Sequence, residues 1–526
     1  MRVDGLPIIE TRQRLADGDV VSTAWADESG EGQGRVVVEI ANETNVSVVL
    51  AVVVRPQRLV GAGQIESARA SGSLIVIDKL PLIELGRDPG AVVTAIDDGA
   101  DGAALLDQLE LGQANISSTD ELQSATGDVS VAAIIPLTRG SSRQIEILEG
   151  REEATVAAAP LDTIQAGWKA HLRSTPDVDL PGWPKHLPAA LASSLVGSTV
   201  SVGRPLGDDG WEELDDSIRV AALSRIGLDW AAAHVADSLL PMVTEGQIER
   251  NRWPEMAAVL GSIARTPEGR EVLVRHGDAV AVVAGYALSK SRSPNLVEPL
   301  IAAVEAAHGT EAAADAADIR GSMDCPQDEL VYLRHGFGCT PERAGVLEEA
   351  LGRVERPTAE SIGFAMAASA ATDHVFEPLV AMRSLAGSTW SWPRNGCGDS
   401  PHARASLLVG LLSLCVTELP GGGVDVFPGA SSRWLGQKMA FTNVVVAAGR
   451  LSVALRWHGE RAAILWELTD GPNPDAPFTL CCSRLDPSFS TSDRSGEALL
   501  AVPQALIDQR DDATGSGTGA SKGSLL

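Results

Sequence analysis

The sequence predicts a multidomain α+β protein with an N-terminal β-sandwich, a domain of helical hairpins and a small C-terminal antiparallel β-domain. Apolar residues recur with a period of about two over residues 1–155, at spacings of three and four over residues 156–418, and with a period of about two again over residues 419–507. Residues 508–526 are mostly Asp, Gly, Ser and Thr, so we expect a disordered tail.

The N-terminal region contains short β-branched runs bounded by Gly, Asp and Ser. Residues 36–40 and 46–54 are separated by a short polar segment, which predicts a β-hairpin. Further strands are predicted at 74–77, 92–96, 129–136 and 143–148. Regular strands without long helices between them indicate a sandwich.

The central region has the strongest helical pattern. Residues 211–226, 228–242 and 253–263 each place their apolar side chains on one helix face. Short breaks at Gly227 and at residues 244–246 predict antiparallel helical hairpins. About twelve helices of average length fit this region. Four C-terminal strands are predicted at residues 443–447, 451–457, 462–468 and 478–482.

The charge of the chain narrows the choice of ligand. Forty-two Lys and Arg against seventy Asp and Glu give a net charge of −28, which argues against nucleic acid and an anionic membrane surface. The N-terminus lacks a secretory pattern, and the six cysteines do not form CxxC pairs, so we expect a cytoplasmic protein with reduced thiols. No cofactor-binding or metal-binding motif is found, and we expect no cofactor.

Four segments resemble bacterial six-hairpin glycosidases of the glucoamylase and glycogen-debranching type. They are the strand at residues 52–56 (VVVRP), the entry to the helical domain at 167–172 (GWKAHL), and two C-terminal segments at 449–459 (GRLSVALRWHG) and 464–468 (ILWEL). The resemblance implies that the helical domain is an (α/α)6 toroid whose loops hold a sugar. It also implies hydrolysis by two carboxylates that flank the glycosidic bond.

The sequence departs from that family at the first helical hairpin. Catalytic members carry an aromatic-Arg-Asp run there, whereas this chain has WEELDD at residues 211–216. Asp216 and Glu245, in successive hairpins, are the predicted catalytic pair, and Trp211 is a predicted sugar platform. The alternative for Asp216 is a negative charge that the helix dipole favours at a helix start. The alternative for Glu245 is a solvated turn.

The loop before the last predicted helix holds the remaining candidates. Trp390 and Trp392 offer flat faces to sugar rings, while Asp399, His402 and Arg404 supply groups for hydroxyls. Alternatively, both tryptophans pack inside the protein and Asp399 caps the following helix.

We therefore expect a glycosidase-like protein that hydrolyses or binds an α-linked glucan or oligosaccharide in a cleft at the rim of the toroid. The alternatives are a catalytically inactive relative that binds carbohydrate or protein, and a purely structural helical scaffold. The sequence does not determine the linkage or the oligomeric state.

Overall fold

The computed structural model describes most of the two β regions and about half of the helical region. The described residues are 3, 6–29, 33–55, 64–86, 89–96, 122–148, 157–197, 214–290, 294–318, 401–459, 461–470 and 477–508. They form two compact units, the first ending at Ala170 and the second beginning at His171.

The first unit is a β-sandwich of two antiparallel sheets. In the described residues, one sheet has the strand order β1-β2-β3-β11-β7-β6-β5-β9 and the other has the order β4-β10-β8. The strands are β1 (Ile9–Leu15), β2 (Gly18–Ser29), β3 (Gln33–Asn42), β4 (Val48–Val54), β5 (Ser67–Ser71), β6 (Leu74–Ile77), β7 (Leu80–Glu84), β8 (Ala91–Ile96), β9 (Leu122–Gln123), β10 (Val129–Leu137) and β11 (Ser142–Leu148). Alternate residues of β10 pack against the larger sheet to form one apolar core.

The prediction that residues 36–40 and 46–54 form a hairpin is wrong. The strands β3 and β4 lie in different sheets, because β3 pairs with β2 and β11 whereas β4 pairs with β10. The polar segment between them is an arch held by Asn42, whose buried amide donates to the carbonyl groups of Val46 (2.9 Å) and Leu137 (3.1 Å). Thr44 donates to the side-chain oxygen of Asn42 at 2.7 Å. Because the buried polar groups of this segment are hydrogen-bonded in this way, the chain can pass from one sheet of the sandwich to the other.

The second unit contains most of the helices. Those described are α1 (Leu161–Leu172, which crosses the boundary between the units), α2 (Leu187–Gly197), α3 (Leu214–Arg225), α4 (Asp229–Thr244), α5 (Trp253–Ile263), α6 (Pro267–Arg275), α7 (Gly277–Lys290), α8 (Pro294–His308), α9 (Thr310–Asp318) and α10 (Pro401–Cys415). Among these helices, no single one is long and apolar enough to cross a membrane, and the bent pair α6–α7 meets that test only jointly, by length and composition.

Three helices form an inner layer. Helices α3, α5 and α10 are buried on nearly all sides, and α3 packs against both of the others. A helix without a polar face needs neighbours all round, which explains why the apolar residues of α10 show almost no preference for one side. Helices α4 and α7, by contrast, bury one face only.

The C-terminal strands form two further sheets in the second unit. The strands are β12 (Asp177–Asp179), β13 (Val416–Leu419), β14 (Gly423–Val426), β15 (Met439–Val446), β16 (Gly449–His458), β17 (Arg461–Asp470), β18 (Thr479–Cys482), β19 (Asp486–Thr491) and β20 (Ser495–Leu500). Their orders are β12-β15-β16-β17-β20 and β13-β14-β18-β19. The short strand β12 comes from the Pro-rich segment between α1 and α2, so the chain enters this β region before it forms α3.

The predicted fold class is confirmed, with β-sandwich, helical region and C-terminal β region in that order. The exact domain boundaries stay predictions. Residues 319–400 and the tail after residue 508 lie outside the described residues, so the closure of the toroid and the disorder of the tail also stay predictions.

Candidate binding site at the starts of the inner helices

The inner helices run parallel, as two contacts near their C-terminal ends indicate. The hydroxyl of Ser224 on α3 donates to the carbonyl of Ser262 on α5 at 2.7 Å. The guanidinium of Arg225 donates to the hydroxyl of Ser413 on α10 at 2.8 Å and to the carbonyl of Val416 at 3.0 Å. Since each pair packs along its length, the helix starts also lie together, at the opposite end.

Charged residues of these three helices lie at similar heights above those contacts. At a rise of about 1.5 Å per residue, Asp216 lies about 12 Å along α3 from Ser224, and Glu255 lies about 10 Å along α5 from Ser262. Arg404 of α10 lies about 13 Å from Ser413 by the same measure. Asp216, Glu255 and Arg404 thus each lie in the first turn of an inner helix.

The described members of the predicted site have different surroundings. Asp216 is 24% exposed and pairs with the nearly buried Arg219, with 3.0 Å between carboxylate and guanidinium. Glu245 is exposed just after α4 and accepts a hydrogen bond from the side chain of Gln247 at 2.9 Å. Because α3 and α4 form a hairpin, the end of α4 lies at the same end of the molecule as the start of α3.

The other predicted site residues are only partly described. Arg404 is half-buried on the first turn of α10. His402 lies on the same turn, but its side chain is outside the described part of the structure. Trp211, Trp390, Trp392 and Asp399 lie outside the described residues altogether, so their roles stay predictions.

A polar cavity of about 430 Å³ opens beside the end of α4. Small-molecule sites span ~300–1,000 Å³, so its size suits a small ligand. It is lined by residues from the ends of α4, α6 and α8 and the start of α7: Thr244, Val274, Arg275, His276, Gly277, Asp278, Ala279, Ala307 and His308. Hydroxyl, carboxylate, guanidinium and imidazole groups together can serve both the donors and the acceptors of a polyhydroxylated ligand.

Asp237 of α4 organises one wall of this cavity. Its Oδ1 accepts hydrogen bonds from Arg275 Nη1 (2.6 Å) and His276 Nε2 (2.8 Å). Burial alone would raise the pKa of Asp237, but the bonds from His276 and Arg275 outweigh burial and hold that pKa below its ordinary value. The carboxylate therefore fixes the orientation of the His276 imidazole.

His308 forms the facing wall. Its Nε2 donates to the carbonyl of Gly277 at 2.9 Å. The ring lies so close that a Cβ atom on Gly277 would be 3.1 Å from Cε1 of His308. A glycine at the start of α7 thus lets the imidazole pack directly on the backbone.

Sequence reasoning missed the cavity. The cavity residues come from four helix ends whose meeting depends on tertiary packing, and no local motif marks them. No group of three or more His, Cys, Asp or Glu among the described residues is placed to hold a metal ion.

Comparison with known proteins gives only distant likenesses. No protein-family model matches the chain, and no curated protein matches it. Among solved structures, a family GH92 alpha-mannosidase from Bacteroides thetaiotaomicron is 8% identical, with 82% of this chain and 72% of that chain covered and a TM-score of 0.36. The same enzyme in complex with mannoimidazole gives 8% identity, coverage of 85% and 73%, and a TM-score of 0.34.

A TPR-domain containing protein from Parabacteroides distasonis is 10% identical, with coverage of 72% and 71% and a TM-score of 0.15. The structural neighbours thus include a glycosidase, of a different type from the glucoamylase and debranching enzymes that the sequence resembles. TM-scores this low do not establish a shared function, so the function is argued from the chain's own residues.

Proposed function

We propose that this protein binds a neutral, α-linked oligosaccharide in the polar cavity formed by the ends of α4, α6 and α8 and the start of α7, and that it is glycosidase-like in its chemistry. The observation that carries the proposal is the polar cavity of about 430 Å³ beside the end of α4. A net charge of −28 favours an uncharged ligand over an anionic one. The mixed lining also fits sugar hydroxyls, each of which can both donate and accept a hydrogen bond.

The catalytic form of this proposal needs two carboxyl groups across the glycosidic bond. Asp216 and Glu245 are the pair predicted from the sequence, with Trp211, Trp390 and Trp392 as sugar platforms and Asp399, His402 and Arg404 as hydroxyl-binding groups. A separation of ~6.5–9.5 Å between the carboxyl groups implies inversion of the anomeric centre, and ~5–5.5 Å implies retention.

The second candidate is a carbohydrate-binding protein without hydrolytic activity. The exposure of Glu245, whose carboxylate is bonded to Gln247, favours this candidate, because a solvated carboxylate is poorly placed to act on an enclosed bond. The cytoplasmic location stays a prediction.

Calorimetric titration with a panel of α-linked glucose and mannose oligosaccharides tests the binding. We expect at least one to bind, and Asp278→Asn to weaken it by about 10-fold because a cavity carboxylate is lost. Asp315→Asn, an exposed position of α9 outside the cavity, is the matched control and should bind normally. If no sugar binds at millimolar concentration, or if both variants bind as the wild type does, the cavity is not the site.

A further inference from the structure

Most of the polar side chains that line the cavity are already bonded to the protein. Nε2 of His276 and Nη1 of Arg275 both donate to Asp237, at 2.8 Å and 2.6 Å. Nε2 of His308 donates to the carbonyl of Gly277 at 2.9 Å. A molecule that enters the cavity therefore meets the bonding capacity that these contacts leave unused.

Two charged groups of the lining retain such capacity. The carboxylate of Asp278, in the first turn of α7, is exposed and makes no hydrogen bond or ion pair within the part of the chain that the structure describes. Arg275 uses one N–H group for Asp237 and is 57% exposed, so its other N–H groups are free to bond a molecule in the cavity. The unused groups are thus a carboxylate, which accepts hydrogen bonds, and a guanidinium, which donates them.

Val274 gives the same cavity an apolar wall. It lies in the last turn of α6 and is 61% exposed, whereas its neighbour Leu273 is fully buried. The axes of α6 and α7 meet at 97°, and residues on both sides of this bend line the cavity. An exposed valine gains nothing from sugar hydroxyls, but it leaves water favourably when an apolar group packs on it.

We propose that the sugar bound in the cavity carries an acetamido group, and that Val274 is a specificity-determining residue. This inference rests on the proposed carbohydrate function. A secondary amide presents an N–H group to the carboxylate of Asp278 and a carbonyl oxygen to the guanidinium of Arg275. Its methyl group packs on Val274. The acetamido group is uncharged, so the oligosaccharide stays neutral, and a hydroxyl group in its place cannot supply the apolar contact.

The test uses maltose and two derivatives in which the hydroxyl group beside one anomeric carbon is replaced by acetamido or by formamido. The formamido group keeps the N–H and the carbonyl but lacks the methyl group. By calorimetric titration of the wild-type protein, we expect the acetamido derivative to bind about 4-fold more tightly than the formamido derivative, because one methyl group leaves water. Maltose should bind least tightly of the three.

Val274→Ser separates the apolar contact from the hydrogen bonds. Because Val274 is exposed, its Tm should stay close to the wild-type value, while the acetamido derivative loses its advantage over the formamido derivative. Val274→Thr, which has nearly the shape of valine, should lose part of that advantage. Val282→Ser is the matched control, because Val282 is 44% exposed on α7 and does not line the cavity. This control should keep the advantage in full.

Two results would overturn the acetamido assignment and leave the binding proposal standing. One is equal affinity of the wild-type protein for the acetamido and formamido derivatives. The other is an advantage of the acetamido derivative that persists unchanged in Val274→Ser. If neither these three probes nor the glucose and mannose oligosaccharides bind, the binding proposal and this inference are both wrong.

Discussion

The inner helices carry charged side chains at both ends, and those at the C-terminal ends are joined to the C-terminal strands. At their C-terminal ends, Arg265 forms an ion pair with Glu418, which also accepts a backbone hydrogen bond from Ala447 at 2.7 Å. Arg225 lies in the same cluster, bonded to Ser413 and to the carbonyl of Val416. At the helix starts, Asp216 forms an ion pair with Arg219, which lies three residues further along the same helix.

The pKa values at the C-terminal ends agree with a closed, structural cluster. Burial would raise the pKa of Glu418, but the ion pair with Arg265 and the bond from Ala447 outweigh burial and hold that pKa below its ordinary value. Burial lowers the pKa of Arg225 to about 10, which still leaves it charged at neutral pH. Glu418 is satisfied by Arg265 and by the backbone of Ala447, so this cluster joins the inner helices to the C-terminal strands.

The sharpest test of this contrast is Glu418→Ala. Glu418 is 26% exposed, and removing it leaves Arg225 and Arg265 without their shared anion. We expect the free energy of unfolding to fall by about 2–4 kcal/mol, as for other broken buried pairs. Urea denaturation at pH 7 measures the change, with Glu311→Ala on the exposed start of α9 as control. Equal values for both variants would mean that the cluster is not structural.

A smaller effect is expected at Asp229, which begins α4 at this same end. Burial, with a contribution from the charge of Glu268, raises the pKa of Asp229 to about 6, although the charge of Arg450 opposes this. Because the folded pKa exceeds the ordinary value of 3.8, this carboxyl group stabilises the fold below pH 3.8 and loses that contribution as the pH rises through about 6.

We therefore expect Asp229→Asn to change the pH dependence of stability. The unfolding free energy of the wild type, relative to that of the variant, should fall by ~1–2 kcal/mol between pH 4 and pH 7, less than the full pKa shift implies because Asp229 is partly solvated. Urea titrations of both proteins at the two pH values measure the difference. A difference that does not depend on pH would contradict the raised pKa.

The smallest effect is expected at the cavity. Asp237 is 36% exposed and Arg275 is 57% exposed, so Asp237→Asn should lower the free energy of unfolding by at most ~1 kcal/mol at pH 7. Since the pKa of Asp237 is lowered, its contribution is present above the unfolded pKa and is lost as the pH falls through the folded value. Urea denaturation at pH 7 and pH 3 checks this. If Asp237→Asn lowered the free energy of unfolding as much as Glu418→Ala does, the expected difference between the two ends of the helices would be wrong.

Periodicity was sufficient to predict the described helices and half of the described strands. The runs at residues 228–242 and 253–263 correspond to α4 and α5 almost residue for residue, because each helix buries an apolar face or is apolar throughout. The prediction of a β3–β4 hairpin was wrong because a polar segment has the same sequence pattern whether it turns within a sheet or arches between two sheets. The partners of Asn42 that decide between these include Leu137, which is far away in the chain.

The candidate site was less predictable than the fold. Asp216 could be found because it sits at a recognisable helix start, but its height relative to Glu255 depends on the register of α3 against α5. That register is set by the bond from Ser224 to Ser262, two residues that carry no functional signal in the sequence. The Asp237–His276 contact likewise joins α4 to the junction between α6 and α7, 39 residues further along the chain.

The junction at Glu418 limits how this protein can be dissected. A fragment that stopped at the last residue of α10, Cys415, would lose Glu418 and the carbonyl of Val416, and two arginines would be left facing solvent or each other. Because β12, which precedes α3, pairs with β15, such a fragment would also have a loose N-terminal segment. The shortest helical piece worth expressing alone therefore extends through β20.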